Sequence, residues 1–205
     1  QYTINGLTIT GGSIVALYIS GAAGGGASIN KAVTISYGTG GLAGGNMTGM
    51  TLIRNNLIVK YGSGANISSP VTNTTLRIAK SRGYSDITAI YNNVSNVINV
   101  ATGKRLLIWS GSTLSMNATL SGSFIHINGT LLANTSRLNA VYQLSQSGGT
   151  FNGGTNTVYA GNVFSQRGGT FVSTSSGLIV GPQSANFVSV FVRTAGTFTH
   201  NNGTV

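Results

Sequence analysis

The chain has 205 residues, 31 of them glycine, and a net charge of +10 that comes from 11 Lys and Arg against a single acidic side chain, Asp86. Hydrophobic residues make up 40%, too many for a disordered chain, and the absence of cysteine excludes disulfides as a source of stability. One carboxylate cannot supply the paired acids of glycoside or aspartyl chemistry.

The first segment, Tyr2-Thr3-Ile4-Asn5, alternates apolar and polar residues, and after Gly6 so does Leu7-Thr8-Ile9-Thr10. Gly11-Gly12 breaks the run, Ser13–Ser20 reads as a strand apolar on both faces, and Gly21–Ala27 reads as a loop of small residues. An extended segment of this kind cannot satisfy its backbone groups alone. It needs a sheet edge to join, in its own molecule or in a neighbour's. The apolar run Ile14 to Ile19 is far short of a membrane span, so none is expected in the mature chain. Opening at Gln1 rather than Met is what a secreted protein shows after signal-peptide removal.

Downstream the apolar runs are short, rich in Val, Ile, Thr and Tyr, and bounded by Gly, Asn or Ser. They are Ala32–Tyr37, Leu57–Tyr61, Ile87–Tyr91, Val94–Ala101, Arg105–Trp109, Phe124–Ile127, Val141–Leu144, Leu178–Val180 and Phe187–Val192. Turn pairs such as Gly40-Gly41, Gly44-Gly45, Asn128-Gly129 and Asn202-Gly203 fall between them. Helical periodicity is nowhere convincing, so the expected class is all β: a sandwich, a barrel or a β-solenoid.

One internal recurrence bears on that choice. Ser145-Gln146-Ser147-Gly148-Gly149-Thr150-Phe151 returns twenty residues later as Ser165-Gln166-Arg167-Gly168-Gly169-Thr170-Phe171, and more loosely as Arg193-Thr194-Ala195-Gly196-Thr197-Phe198. These are either similar turns before strands or the rungs of a solenoid with coils of about 20 residues.

Catalytic patterns are missing. There is no G-x-S-x-G elbow beside the histidines, and His126 and His200 lie too far apart in sequence to make a metal signature. His126 sits between Ile125 and Ile127, so alternation turns it to the solvated face of a strand. The glycine pairs lack the Lys-Ser/Thr of a phosphate loop. Basic residues scattered from Lys31 to Arg193 do not form the clustered face of a nucleic-acid binder. No enzyme activity, cofactor, metal or nucleic-acid partner is therefore expected.

Eight Asn-x-Ser/Thr sequons, at Asn46, Asn66, Asn73, Asn93, Asn117, Asn128, Asn134 and Asn202, are candidates for N-linked glycans on surface loops. Scarcity of carboxylates has its own reading. Acid denaturation is largely the forced protonation of carboxylates, and only Asp86, the two histidines and the C-terminus are left to titrate below neutrality. Such a composition reads either as adaptation to acid or as a lineage bias toward polar, uncharged surface proteins.

The order Thr8-Ile9-Thr10-Gly11-Gly12-Ser13-Ile14-Val15 resembles the start of type 1 pilins, where a donor segment and a Gly-Gly precede the first strand of an incomplete immunoglobulin-like sandwich. Gly154-Thr155-Asn156-Thr157-Val158 is similar to the segment entering a late strand of such pilins. With no cysteine, few acids and many sequons, the chain looks more like the thread filament family of thermoacidophilic archaea. The resemblance implies an extracellular homopolymer of identical subunits, glycosylated and linked head to tail by donor strands.

The expectation is thus an incomplete immunoglobulin-like β-sandwich over residues 13–205, completed by the donor strand and hinge at residues 1–12 of a neighbour. Tyr2, Ile4, Leu7 and Ile9 would fill its groove, and Gly11 and Gly12 would form the hinge. The alternatives are a β-solenoid adhesin or tail-fibre fragment and a carbohydrate-binding sandwich, for which Trp109, the lone tryptophan, is poor provision.

Overall fold

The structure is a computed structural model, and it describes residues 13–19, 31–37, 49–62, 69–82, 85–95, 97–181 and 189–205. In chain order the elements are β1 (Ile14–Tyr18), β2 (Val33–Tyr37), β3 (Asn56–Val59), β4 (Val71–Thr72), α1 (Asn73–Arg82), α2 (Ser85–Thr88), β5 (Tyr91–Val94), β6 (Val97–Ile108), β7 (Thr113–Ser115) and β8 (Leu120–Ile127). They continue with β9 (Thr130–Leu132), β10 (Leu138–Gln146), β11 (Thr150–Asn152), β12 (Val158–Ala160), β13 (Val163–Val172), β14 (Leu178–Val180) and β15 (Val190–Thr199).

These elements form a β-solenoid of about six turns, not an immunoglobulin-like sandwich. The strand pairing overturns the sandwich expectation. Apart from β1 with β2 and β5 with β6, every strand pair is parallel. A parallel pair needs a long crossover, and here the crossover is the rest of the coil itself. Three stacks of rungs result. One holds the first arm of β6, β8 and β10 with β12 and β14, the second holds β2, β3 and the arms that end at Ile108, Ile127, Gln146 and Gln166, and the third holds β4, β7, β9, β11 and the end of β13. β15 continues both the second and the third stack.

The recurrence around Phe151 and Phe171 is the signature of this stacking. Ser145 pairs with Ser165, Gln146 with Gln166, Thr150 with Thr170 and Phe151 with Phe171 in adjacent coils. The looser third copy follows in register, with Gln166 opposite Arg193 and Phe171 opposite Phe198. Parallel, in-register coils place like residues over like, whereas the antiparallel strands of a sandwich impose no such repetition.

Alternation along each rung sends every second side chain inward, and stacking turns those side chains into columns. Val33, Leu57, Leu106, Ile125, Leu144 and Phe164 form one column, each at most 1% exposed. Val71, Leu114, Leu131, Phe151 and Phe171 form another, fully buried. Phe151 and Phe171 stack with centroids 4.4 Å apart, and Phe171 and Phe198 at 5.3 Å. Burying each such ring contributes on the order of 1.5–3 kcal/mol.

The corner between the second and third stacks requires glycine. Gly149 has φ +61°, and a Cβ there would lie 1.9 Å from the carbonyl oxygen of Gly129 on the coil beneath. Inside the same corner, Gln146 is buried and donates from Nε2 to the carbonyls of Gly148, Gly149 and Thr170. Gln166 repeats this one coil on, donating to Gly169 and Thr197. The two glutamines thus add side-chain donors to the corner carbonyls, of which Gly149 O also accepts from Thr170 N at 2.9 Å.

Two helical segments depart from the all-strand expectation. Thr72 and Thr75 start α1 reciprocally: Thr75 N donates to Thr72 Oγ1 and Thr72 N to Thr75 Oγ1, the arrangement of a capping box with Thr in place of Glu. Of its described side chains only Asn73, Thr75, Leu76 and Ala79 are buried, and just two of these are apolar, while Arg77 and Ile78 are exposed. An apolar stripe that narrow is hard to see as helical periodicity. Ile87–Tyr91, expected as a strand, spans the end of α2, a turn and the first residue of β5.

Candidate functional site

The two ends of the coil stack differ. At the first, β2 is covered by antiparallel β1, with Ile14 opposite Tyr37 and Tyr18 opposite Val33. Ile14, Ala16 and Tyr18 pack on the core. At the last, β15 pairs with β13, and among the described residues nothing pairs with its other edge. Inward-facing residues are therefore bare there: Phe164 is fully buried, but Phe191, the next residue of its column, is 46% exposed. Val190 is exposed beside it, and Phe198 is half-buried. Arg193 takes the corner position of the glutamines, donating from its guanidinium to Gly196 O.

The second feature is a groove of about 150 Å³ between the first turns of α1, strand β5 and the loop before β8. Asn73 builds its wall. That side chain is 4% exposed, donates from Nδ2 to Ala118 O at 3.0 Å and accepts from Asn117 N at 3.2 Å. Asn117 in turn donates from Nδ2 to Thr74 Oγ1 at 2.9 Å. Tyr91 ties strand to helix, its hydroxyl donating to Leu76 O at 2.8 Å, and burial pushes that phenol far above its ordinary pKa. Asn93 and Arg77 also line the groove. Asn93 Oδ1 is buried with no hydrogen-bond partner among the described residues.

The sequence-derived candidates are scattered over the molecule. Tyr2, Ile4, Leu7, Ile9, Gly11, Gly12, Asn46 and Asn66 lie outside the described residues. Asn73, Asn93 and Asn117 come together at the groove, an association no spacing rule suggests. Asn117 and Asn202 are exposed, Asn128 is half-buried at a coil corner, and Asn134 is exposed while its Nδ2 donates to Met116 O. His126 is on the outer face between Ser145 and Ser147, and His200 is exposed. Among the described residues no three His, Asp or Glu side chains gather as a metal group, and no helix is long and apolar enough to cross a membrane. Sequence reasoning missed Phe191, Phe198 and Arg77. Phe198 was within reach, as the third phenylalanine of the Phe151–Phe171 series.

No protein-family model, curated protein or solved structure matches the chain.

Proposed function

We propose that this chain is a structural subunit of an extracellular fibre, a β-solenoid rod that lengthens when another copy adds a strand to its bare last coil. The observation that carries this reading is the edge of β15, ten residues long, which no described residue pairs and where a core phenylalanine is 46% exposed. An uncovered, apolar strand edge is a template for pairing with another chain. The contact joins one end of a subunit to a different part of the next, so it is heterologous and does not close.

The neighbour's residues 1–10 are the strand we assign to this edge. Tyr2-Thr3-Ile4-Asn5-Gly6 follows the pattern of Ile125-His126-Ile127-Asn128-Gly129, a rung arm with its corner. Adhesion is the role we assign to such a rod, with N-linked glycans on exposed asparagines such as Asn202.

Electron microscopy of the full chain is the test. Rods of uniform diameter are expected, and they should vanish when residues 1–10 are deleted. A synthetic peptide of that segment should raise the melting temperature of the truncated protein by mass action. Unchanged rods from the truncated protein would reject the strand assignment, and dispersed particles from the full chain would reject the fibre.

A further inference from the structure

We propose that Arg193 sets the register of the incoming strand, by donating from its guanidinium to the backbone carbonyl of Leu7 of the neighbouring copy. The inference rests on the fibre reading above and names the polar contact within it.

Its basis is a repeated corner. Gln146, Gln166 and Arg193 stand one above the next in successive coils. Each donates to the carbonyl three residues on in its own corner: Gln146 to Gly149 O at 3.2 Å, Gln166 to Gly169 O at 3.3 Å, and Arg193 to Gly196 O. Both glutamines also reach forward to the coil that follows. Gln146 Nε2 donates to Thr170 O at 3.1 Å and Gln166 Nε2 to Thr197 O at 2.9 Å. These acceptors belong to one row, in which Thr130, Thr150, Thr170 and Thr197 pair from coil to coil. Arg193 repeats the first contact, and among the described residues no coil follows to supply the second.

The incoming strand supplies it. With Tyr2–Gly6 laid on the pattern of Ile125–Gly129, Leu7 falls on the position of Thr130 and continues the threonine row past Thr197. Its carbonyl then takes the place that Thr170 O and Thr197 O take for the glutamines. The change to arginine suits the end of the stack. Gln146 and Gln166 are buried, and the Oε1 of each has no partner among the described residues, which is costly. A guanidinium has five donors and no acceptor, so a corner lined with carbonyls orphans no oxygen on it. Arg193 is exposed in the single subunit, where water solvates the charge until a coil arrives. Covering that charge costs desolvation, which charge-assisted bonds to Gly196 O and to Leu7 O offset.

The full chain carrying Leu7→Cys and Thr197→Cys tests the contact, since the parent has no cysteine. Paired residues of adjacent rungs lie about 4.8 Å apart, within reach of a disulfide, and a slip of two residues carries them beyond its limit of about 7 Å. Rods of this protein should become covalent ladders on oxidation. Arg193→Met keeps an apolar stem without the donors. It should raise the concentration needed for rods about tenfold or more and lower the disulfide yield within them. Arg193→Gln, the residue of the interior corners, should recover most of both. Dispersed subunits of all three should melt at similar temperatures, because the forward contact exists only between copies. No rods, or rods without the disulfide while Arg193 is present, would overturn the strand assignment and this inference with it. Three results would overturn the role of Arg193 alone: an unchanged threshold and disulfide in Arg193→Met, a Gln variant as poor as the Met variant, or a threshold that merely follows subunit melting temperature.

Discussion

The two ends of the solenoid meet the same physical problem and treat it differently. Each terminal coil presents a row of backbone groups and a layer of inward-facing apolar side chains that lack a neighbour. At the β2 end a strand of the same chain, β1, turns back antiparallel and lays Ile14, Ala16 and Tyr18 over the core. At the β15 end the described residues supply no such strand, and the column that buries Phe164 completely leaves Phe191 46% exposed. Regularity follows the same division. Between Leu120 and Leu178 the first stack advances by 18, 20 and 20 residues, through Leu138 and Val158. The coils before it carry helices and an antiparallel hairpin. Regular repetition makes an end that another coil can continue, and irregular structure makes one that ends the series.

The largest effects should come from the regular coils. Gly149→Ala places a Cβ 1.9 Å from the Gly129 carbonyl oxygen and also forces a side chain into φ +61°. Overpacking and left-handed backbone together should cost about 3 kcal/mol or more. Gly111→Ala, at φ +75° with nothing within 4 Å, should cost only the backbone term, about 1–2 kcal/mol. Urea denaturation of both variants measures the difference. Equal losses would mean that the corners are not in contact from coil to coil.

The next comparison lies within one column. Phe164→Ala should cost about 3–5 kcal/mol, whereas Phe191→Ala, nearly half exposed, should cost well under half of that in the isolated subunit. Assembly should reverse the ranking of their effects on rod yield, because Phe191 is what an added coil covers. Salt sharpens the point. A chain of net charge +10 repels its own copies, yet β15 contains only one charged residue, Arg193. Rod yield should therefore rise toward about 1 M salt, where the Debye length is about 3 Å. A fall in yield would indicate an ionic contact between subunits in place of an apolar one.

How much of this was legible in the sequence depended on periodicity. The β class followed from short alternating runs, and the 20-residue recurrence at Phe151 and Phe171 carried the solenoid, although the N-terminal resemblance drew the expectation toward a sandwich. Alternation is a property of one strand against one core, so it cannot distinguish a sandwich from a coil. Like residues recurring at a fixed interval can. The groove was invisible for a different reason: Arg77, Asn93 and Asn117 belong to three elements with no shared period, and only the packing of α1 against β5 and the loop before β8 brings them together.

The smallest expected effect concerns pH, and it is confined to the outer face of the regular coils. His126 lies within hydrogen-bond distance of two serines of the next coil, Nδ1 being 2.9 Å from Ser145 Oγ and Nε2 2.9 Å from Ser147 Oγ. Partial burial first, and then the positive charge of Arg105 on the preceding coil, hold its pKa below the ordinary value. The folded chain therefore refuses a proton that the unfolded chain accepts near pH 6.5. Its contribution to stability is complete above that pH and is lost as pH falls through the lowered folded value. The ring is half exposed, so the step should be small, of the order of 2–4 °C or less in melting temperature for a chain of this size. His126→Asn should remove the step, and Arg105→Gln should shrink it by withdrawing the neighbouring charge. Below the step the melting temperature should stay nearly level toward pH 2, because Asp86 is the only carboxylate side chain left to protonate. A step that survives in His126→Asn would have to arise at another group, and the serine pair would then hold the ring without sensing its charge.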